Sequence, residues 1–205
     1  MPLVRREPGK PQPDAGTEAA DLRSADPERR RRAVRGLGRA LDRNPEAAET
    51  LTGLLATEPD PTVREAILSS LVGHHDPRTA QALLPLLRSQ DAGLRNGASE
   101  ALQAMPDAVR PHLPGLLADD DPDVRILAAD LARGLPAREA SALLCDMLDR
   151  ETHVNACAAA IDVLAETGTP DALGTLRAVA GRFPGEPFLA FAVSVAIARI
   201  EGSGG

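Results

Sequence analysis

The side chains with which this 205-residue chain could do chemistry are four histidines, two cysteines and a run of aspartates. Adjacent His74 and His75 precede Asp76, which together offer the nitrogen and oxygen donors of a metal site. Asp76-Pro77 is also a good helix opening, and we read the pair as loop histidines beside a cap. Asp119-Asp120-Asp121-Pro122-Asp123 suggests a calcium loop, but the EF-hand pattern needs Gly at its sixth position and Glu at its twelfth. Val124 and Asp130 stand there instead, so the acids are explained by helix capping and the helix dipole. His153 and Cys157 are four apart on one helical face, and Cys157 falls at a position that other segments fill with core residues. No Gly-x-Ser-x-Gly and no phosphate-binding glycine loop is present. The expectation is no catalytic, cofactor-binding or metal-binding residue.

Arginine is the other chemical signal. Arg29 to Arg32, Arg35 and Arg39 crowd one segment, and Arg31, Arg35 and Arg39 fall along one helical stripe. Up to residue 43 the chain carries a charge of +4, and the remainder carries −11. Three readings of this basic head stay open: a polar end cap, a surface for an acidic partner, or a nucleic-acid contact. The net charge of −7 and the absence of interleaved aromatics argue against nucleic acid.

These residues sit on a repeated element. Asp26-Pro27-Glu28-Arg29-Arg30, Asp60-Pro61-Thr62-Val63-Arg64, Asp91-Ala92-Gly93-Leu94-Arg95 and Asp121-Pro122-Asp123-Val124-Arg125 share one pattern. Glu151-Thr152-His153-Val154-Asn155 and Glu186-Pro187-Phe188-Leu189-Ala190 are weaker copies. A period near 30 residues means stacked supersecondary units with one elongated core. Asp is an N-cap and Pro suits the first helical position, so each copy opens a helix. A second amphipathic stretch follows each time, at Pro45 to Ala56, Pro77 to Ser89, Pro106 to Leu117, Pro136 to Leu148 and Pro170 to Arg182. The spacing predicts an all-α solenoid of about six two-helix repeats over residues 17–201. Residues 1–16 read as a disordered Pro-rich segment and 202–205 as a flexible Gly/Ser tail.

The Asp-Pro-x-Val-Arg openings and tails such as Ala98-x-x-Ala101-Leu102 resemble the HEAT-repeat family, in its short bacterial phycobilisome-lyase-like form. The resemblance implies a ladder between neighbouring repeats made by Asp60 with Arg64, Asp91 with Arg95 and Asp121 with Arg125, failing at Asn155 and Ala190. It also implies that the solenoid is right-handed, with a concave surface lined by the signature helices. Their outward positions include Arg31, Arg35, Glu65, Ser69, Asn96, Glu100, Ile126, Asp130, Arg133 and Asp162. The fold also resembles deoxyhypusine hydroxylases, which bind iron through His-Glu pairs, but no His here precedes Glu. Resemblance to phycobilin lyases implies tetrapyrrole handling, for which this chain lacks cradling aromatics over most of its length.

The expected function is a non-enzymatic adaptor holding a protein partner on that surface. The alternatives are a lyase-like or cofactor-maturation accessory acting on an acceptor protein, and nucleic-acid binding through the first repeat. The last helix, from Pro187, is apolar nearly all round and gathers Phe188 and Phe191. It is either wedged into the core with a small exposed rim or docks on another protein or a second copy. No run of 18 apolar residues and no secretory h-region is present, and Cys145 and Cys157 read as reduced thiols. A cytoplasmic location is expected.

Overall fold

A computed structural model describes residues 20–44, 46–72 and 77–202. Helix α1 (Pro27–Gly38) is followed by α2 (Glu46–Leu55), α3 (Pro61–Val72), α4 (Pro77–Leu83) and α5 (Ala92–Gln103). Then come α6 (Pro106–Val109), α7 (Leu113–Leu116), α8 (Pro122–Leu131), α9 (Ala137–Arg150), α10 (Val154–Thr167), α11 (Leu173–Arg182) and α12 (Pro187–Gly202). There is no strand among the described residues.

The signature residues act at the helix starts as their chemistry requires. Asp26 Oδ1 accepts from the Glu28 N–H at 2.9 Å, Asp60 Oδ1 from Thr62 at 2.9 Å, Asp91 Oδ1 from Gly93 at 2.8 Å and Asp121 Oδ1 from Asp123 at 2.9 Å. Each bond satisfies a backbone donor that the helix itself leaves orphaned. The fifth copy has no such cap on α10, and the Glu151 carboxylate instead takes the N–H groups of Thr152 and His153.

The helices form two layers. The signature helices α1, α3, α5, α8, α10 and α12 each contact the next of their kind, and α2 with α4, α4 with α6, and α9 with α11 make the second layer. Between the layers lies one continuous core of Leu, Ala, Val, Ile and Met side chains, with Leu51, Ile67, Leu87, Leu102, Leu117 and Leu144 fully buried. Each such leucine contributes about 2 kcal/mol. Small residues let the helices approach closely. A Cβ on Gly38 of α1 would collide with the Ser70 Cβ of α3, which cannot move without its backbone, so glycine sets that spacing.

Two of the expected second-layer helices are interrupted. Pro77 to Ser89 is α4 followed by a 3-10 turn at Leu84–Arg88, and Pro106 to Leu117 is split by a 3-10 turn at Arg110–His112. Pro85, Pro111 and Pro114 lack the N–H that an α-helix would use there, and their rings crowd the preceding turn. In the last repeat α12 runs through Gly202, one residue into the segment read as tail. The remaining tail residues, the Pro-rich segment 1–16 and His74-His75-Asp76 lie outside the described residues.

Candidate interaction surface

The arginine at the fifth signature position does join successive repeats, but with different partners from those expected. Arg30 forms a two-pronged pair with Glu58, Nε to Oε2 at 2.8 Å and Nη2 to Oε1 at 2.7 Å, and also donates to the Ser24 and Ala25 carbonyls. Arg125 repeats the geometry on Glu151, at 2.6 and 2.9 Å, and donates to the Asp119 and Asp120 carbonyls. Arg64 reaches Asp91 at 2.9 Å. Arg95 donates to the Ser89 carbonyl at 2.8 Å and meets no acid among the described residues.

The ladder therefore runs through Glu58, Asp91 and Glu151, while Asp60 and Asp121 only cap their own helices. Capping alone does not decide it, because Asp91 caps α5 through Oδ1 while its Oδ2 accepts from Arg64; at the other two rungs the arginine meets the longer side chain of Glu58 or Glu151 instead. Glu58 and Glu151 are buried, with side chains 5% and 3% exposed. Burial alone would raise both carboxyls. The Arg30 and Arg125 guanidiniums, with N–H donors at Asp60 and at Thr152 and His153, outweigh it and hold both below the usual carboxylate range. Glu151 stands at the first position of the degraded fifth copy, so that copy kept the acceptor though it lost the arginine.

The later repeats use arginines that the pattern does not mark. Arg182 donates to the Leu148 and Asp149 carbonyls at the end of α9, and Arg177 pairs with Glu201 of α12 at 3.0 Å. Arg133, just after α8, binds Asp130 at 3.2 Å, Asp162 of α10 at 3.0 Å, and Glu166. Asp130 also accepts from Gln103 of α5. Thus Asp130, Arg133 and Asp162, all expected at a partner surface, bond instead to one another and hold α5, α8 and α10 together.

Further toward the N-terminus the same layer is different. Arg31, Arg35, Gly38, Arg39, Thr62, Glu65, Ser69 and Ser70 border a groove of about 460 Å³ between α1 and α3. A neighbouring groove of about 710 Å³ lies between α3 and α5, with Leu68, Val72, Gly97 and Ala101 in its walls and Glu65, Ser69, Asn96 and Glu100 along it. The structure thus brings Arg31, Arg35, Glu65, Ser69, Asn96 and Glu100 into two adjoining furrows that share Glu65 and Ser69. Arg29, in place of the buried Val or Leu of other copies, is exposed and lies near Asp26.

In α12, Leu189, Val193, Ala196 and Ile200 are buried as one stripe against α10 and α11. Phe188 and Phe191 are 67% and 68% exposed on its other side, a wide apolar rim rather than a narrow one. Phe183 is half-buried beneath the Arg182 guanidinium, 5.7 Å from the ring centre. Both cysteines are free thiols. Burial pushes the Cys157 thiol up to about 11 and raises Cys145, opposite to what a nucleophilic thiolate needs. Among the described residues no three His, Cys, Asp or Glu side chains converge as metal ligands, and no helix is long and apolar enough to cross a membrane.

A model of HEAT repeats matches residues 18–103 and 109–187, most of the chain. The chain belongs to the HEAT-repeat family. Among solved structures it is similar to the complex of CpcE and CpcF of phycocyanin lyase from Nostoc sp. PCC7120, at 16% identity and a TM-score of 0.39, covering 98% of this chain and 99% of that one. A designed armadillo repeat protein in complex with the peptide (KR)4 is similar at 15% identity and a TM-score of 0.42, over 89% and 98% of the two chains. An engineered protein aligns at 18% identity and a TM-score of 0.42, over 93% and 98%. No curated protein matches the chain. The family match describes a helical repeat fold and carries no activity with it.

Proposed function

We propose that this HEAT-repeat chain is a non-enzymatic binding scaffold that holds a protein partner along the furrows between α1, α3 and α5. One observation carries the reading. Arg35, Glu65, Ser69, Asn96 and Glu100 border these furrows, and no side-chain hydrogen bond or ion pair engages them among the described residues. Polar side chains aligned on adjoining helices with no internal partner are available to a ligand. The larger furrow adds apolar wall from Leu68 and Val72, which supplies contact area beneath a polar rim.

The test is capture from an extract of the source cell with the wild type beside Glu65→Lys/Asn96→Ala/Glu100→Lys. A scaffold of this kind retains one or a few proteins that the triple variant loses. Turnover by the purified protein, or a cofactor bound at one per chain, would overturn the reading.

A further inference from the structure

The furrow between α1 and α3 differs in charge from the rest of a chain whose net charge is −7. Three cations, Arg31, Arg35 and Arg39, border it against two anions, Asp42 and Glu65. Arg31 already pairs with Glu28 at 2.7 Å, whereas Arg35 and Arg39 form no ion pair among the described residues. Guanidiniums in a concave, water-filled furrow attract carboxylates and bind them in a two-pronged fashion.

We propose that this furrow holds an extended acidic segment of a partner protein, with carboxylates at alternate positions along the α1 arginines. The proposal rests on the scaffold reading and names the partner's chemistry. Spacing is its first support. Residues four apart on a helix rise by about 6 Å, and side chains two apart on one side of an extended strand are about 6.6 Å apart. Arg35 and Arg39, the two without an ion pair, therefore match Glu or Asp two residues apart on a strand laid along the helix, and Arg31 extends the row by sharing its guanidinium between Glu28 and the ligand.

The opposite wall is the second support. Thr62, Glu65, Ser69 and Ser70 of α3 face the arginines across the furrow. The Ser69 hydroxyl has no hydrogen-bond partner among the described residues and can donate, and the Glu65 carboxylate suits a backbone N–H or a neutral or basic residue between the acids. Glu65 also repels a continuous acidic run and a polyphosphate backbone. Nucleic acid is disfavoured further because no aromatic borders the furrow for base stacking; the three Phe of the chain lie at residues 183, 188 and 191.

The experiment selects ligands for the whole protein from a random peptide library displayed on phage. It then measures anisotropy with labelled peptides of about eight residues, one alternating Glu and Ser and one with the same composition in two blocks. Selected peptides are expected to carry acids at alternate positions, and the alternating peptide is expected to bind several-fold more tightly than the block peptide. Arg35→Glu/Arg39→Glu, at exposed positions whose folding is checked by circular dichroism, is expected to weaken binding about tenfold or more. Glu65→Gln is expected to narrow the gap between the two peptides. Peptides selected without acids, or binding indifferent to the double arginine variant, would overturn the inference and leave the scaffold reading standing. Tighter binding of an oligothymidylate that displaces the acidic peptide would overturn it in favour of nucleic acid. Failure to select any peptide, together with unchanged capture by Glu65→Lys/Asn96→Ala/Glu100→Lys, would remove both.

Discussion

Between α8 and α10 the outward polar side chains on the signature layer bond to one another, while along the furrows between α1, α3 and α5 Arg35, Glu65, Ser69, Asn96 and Glu100 engage no partner among the described residues. Arg133 gathers Asp130, Asp162 and Glu166, and Asp130 extends the network to Gln103. At the equivalent outward positions near the N-terminus, Arg35, Glu65, Asn96 and Glu100 line open furrows. One repeat pattern thus produced a self-bonded surface and an available one. The difference teaches that outward position on a repeat helix does not by itself mark a binding residue. Whether a neighbour one repeat away already satisfies the side chain decides it.

The sharpest way to break the comparison is at the buried rungs, where removing one partner strands a charge. Glu151→Ala leaves the Arg125 guanidinium without its acid, and is expected to cost about 3 kcal/mol and lower Tm by roughly 10 °C. Urea and thermal unfolding measure it. A cost below about 1 kcal/mol would mean that the rung behaves as a surface pair.

The same rungs set an acid limit. Glu58 and Glu151 titrate below the ordinary carboxylate range in the folded chain, so the unfolded chain binds protons first as pH falls. Their stabilisation is complete above the unfolded carboxylate value of about 4.3 and is lost as pH falls through the lower folded values. Tm followed from neutral pH to about pH 3 should fall less steeply in Glu58→Gln/Glu151→Gln than in wild type, from a lower starting point. Parallel curves would exclude these two groups as the source.

A smaller effect is expected at Arg133, whose side chain is one-third exposed. Arg133→Ala leaves Asp130, Asp162 and Glu166 without their shared cation, and water screens part of the loss. About 1 kcal/mol and roughly 3 °C in Tm are expected, and added salt should shrink the difference from wild type.

The helix starts were legible because an Asp cap and a Pro at the first turn act locally, and their repetition at a fixed period betrayed the solenoid. The outward stripe was legible too, since helical spacing alone places Arg31 with Arg35 and Glu65 with Ser69. The rungs were not. Glu58 precedes its signature by two residues, and Glu151 begins a copy whose arginine is lost, so neither stands out until neighbouring repeats are stacked. Arg133 and Arg182 carry no local mark, because their partners lie about one repeat away. The broken helices were readable in principle from Pro111 and Pro114, whose effect outweighed the apolar periodicity that suggested one continuous helix.

The smallest stability effect belongs to the available surface, and it tests the comparison from its other side. Glu65, Asn96 and Glu100 are exposed and unbonded among the described residues, so Glu65→Lys/Asn96→Ala/Glu100→Lys should change unfolding free energy by no more than about 0.5 kcal/mol per site. Binding should respond far more, because reversing two charges and removing an amide alters three of the polar side chains that line the α3–α5 furrow. Destabilisation beyond about 2 kcal/mol in the triple variant would show that these residues support the fold, as Arg133 does. The contrast between the two ends of the layer would then vanish. Unchanged stability with lost binding separates the two roles and assigns the furrow side chains to a partner.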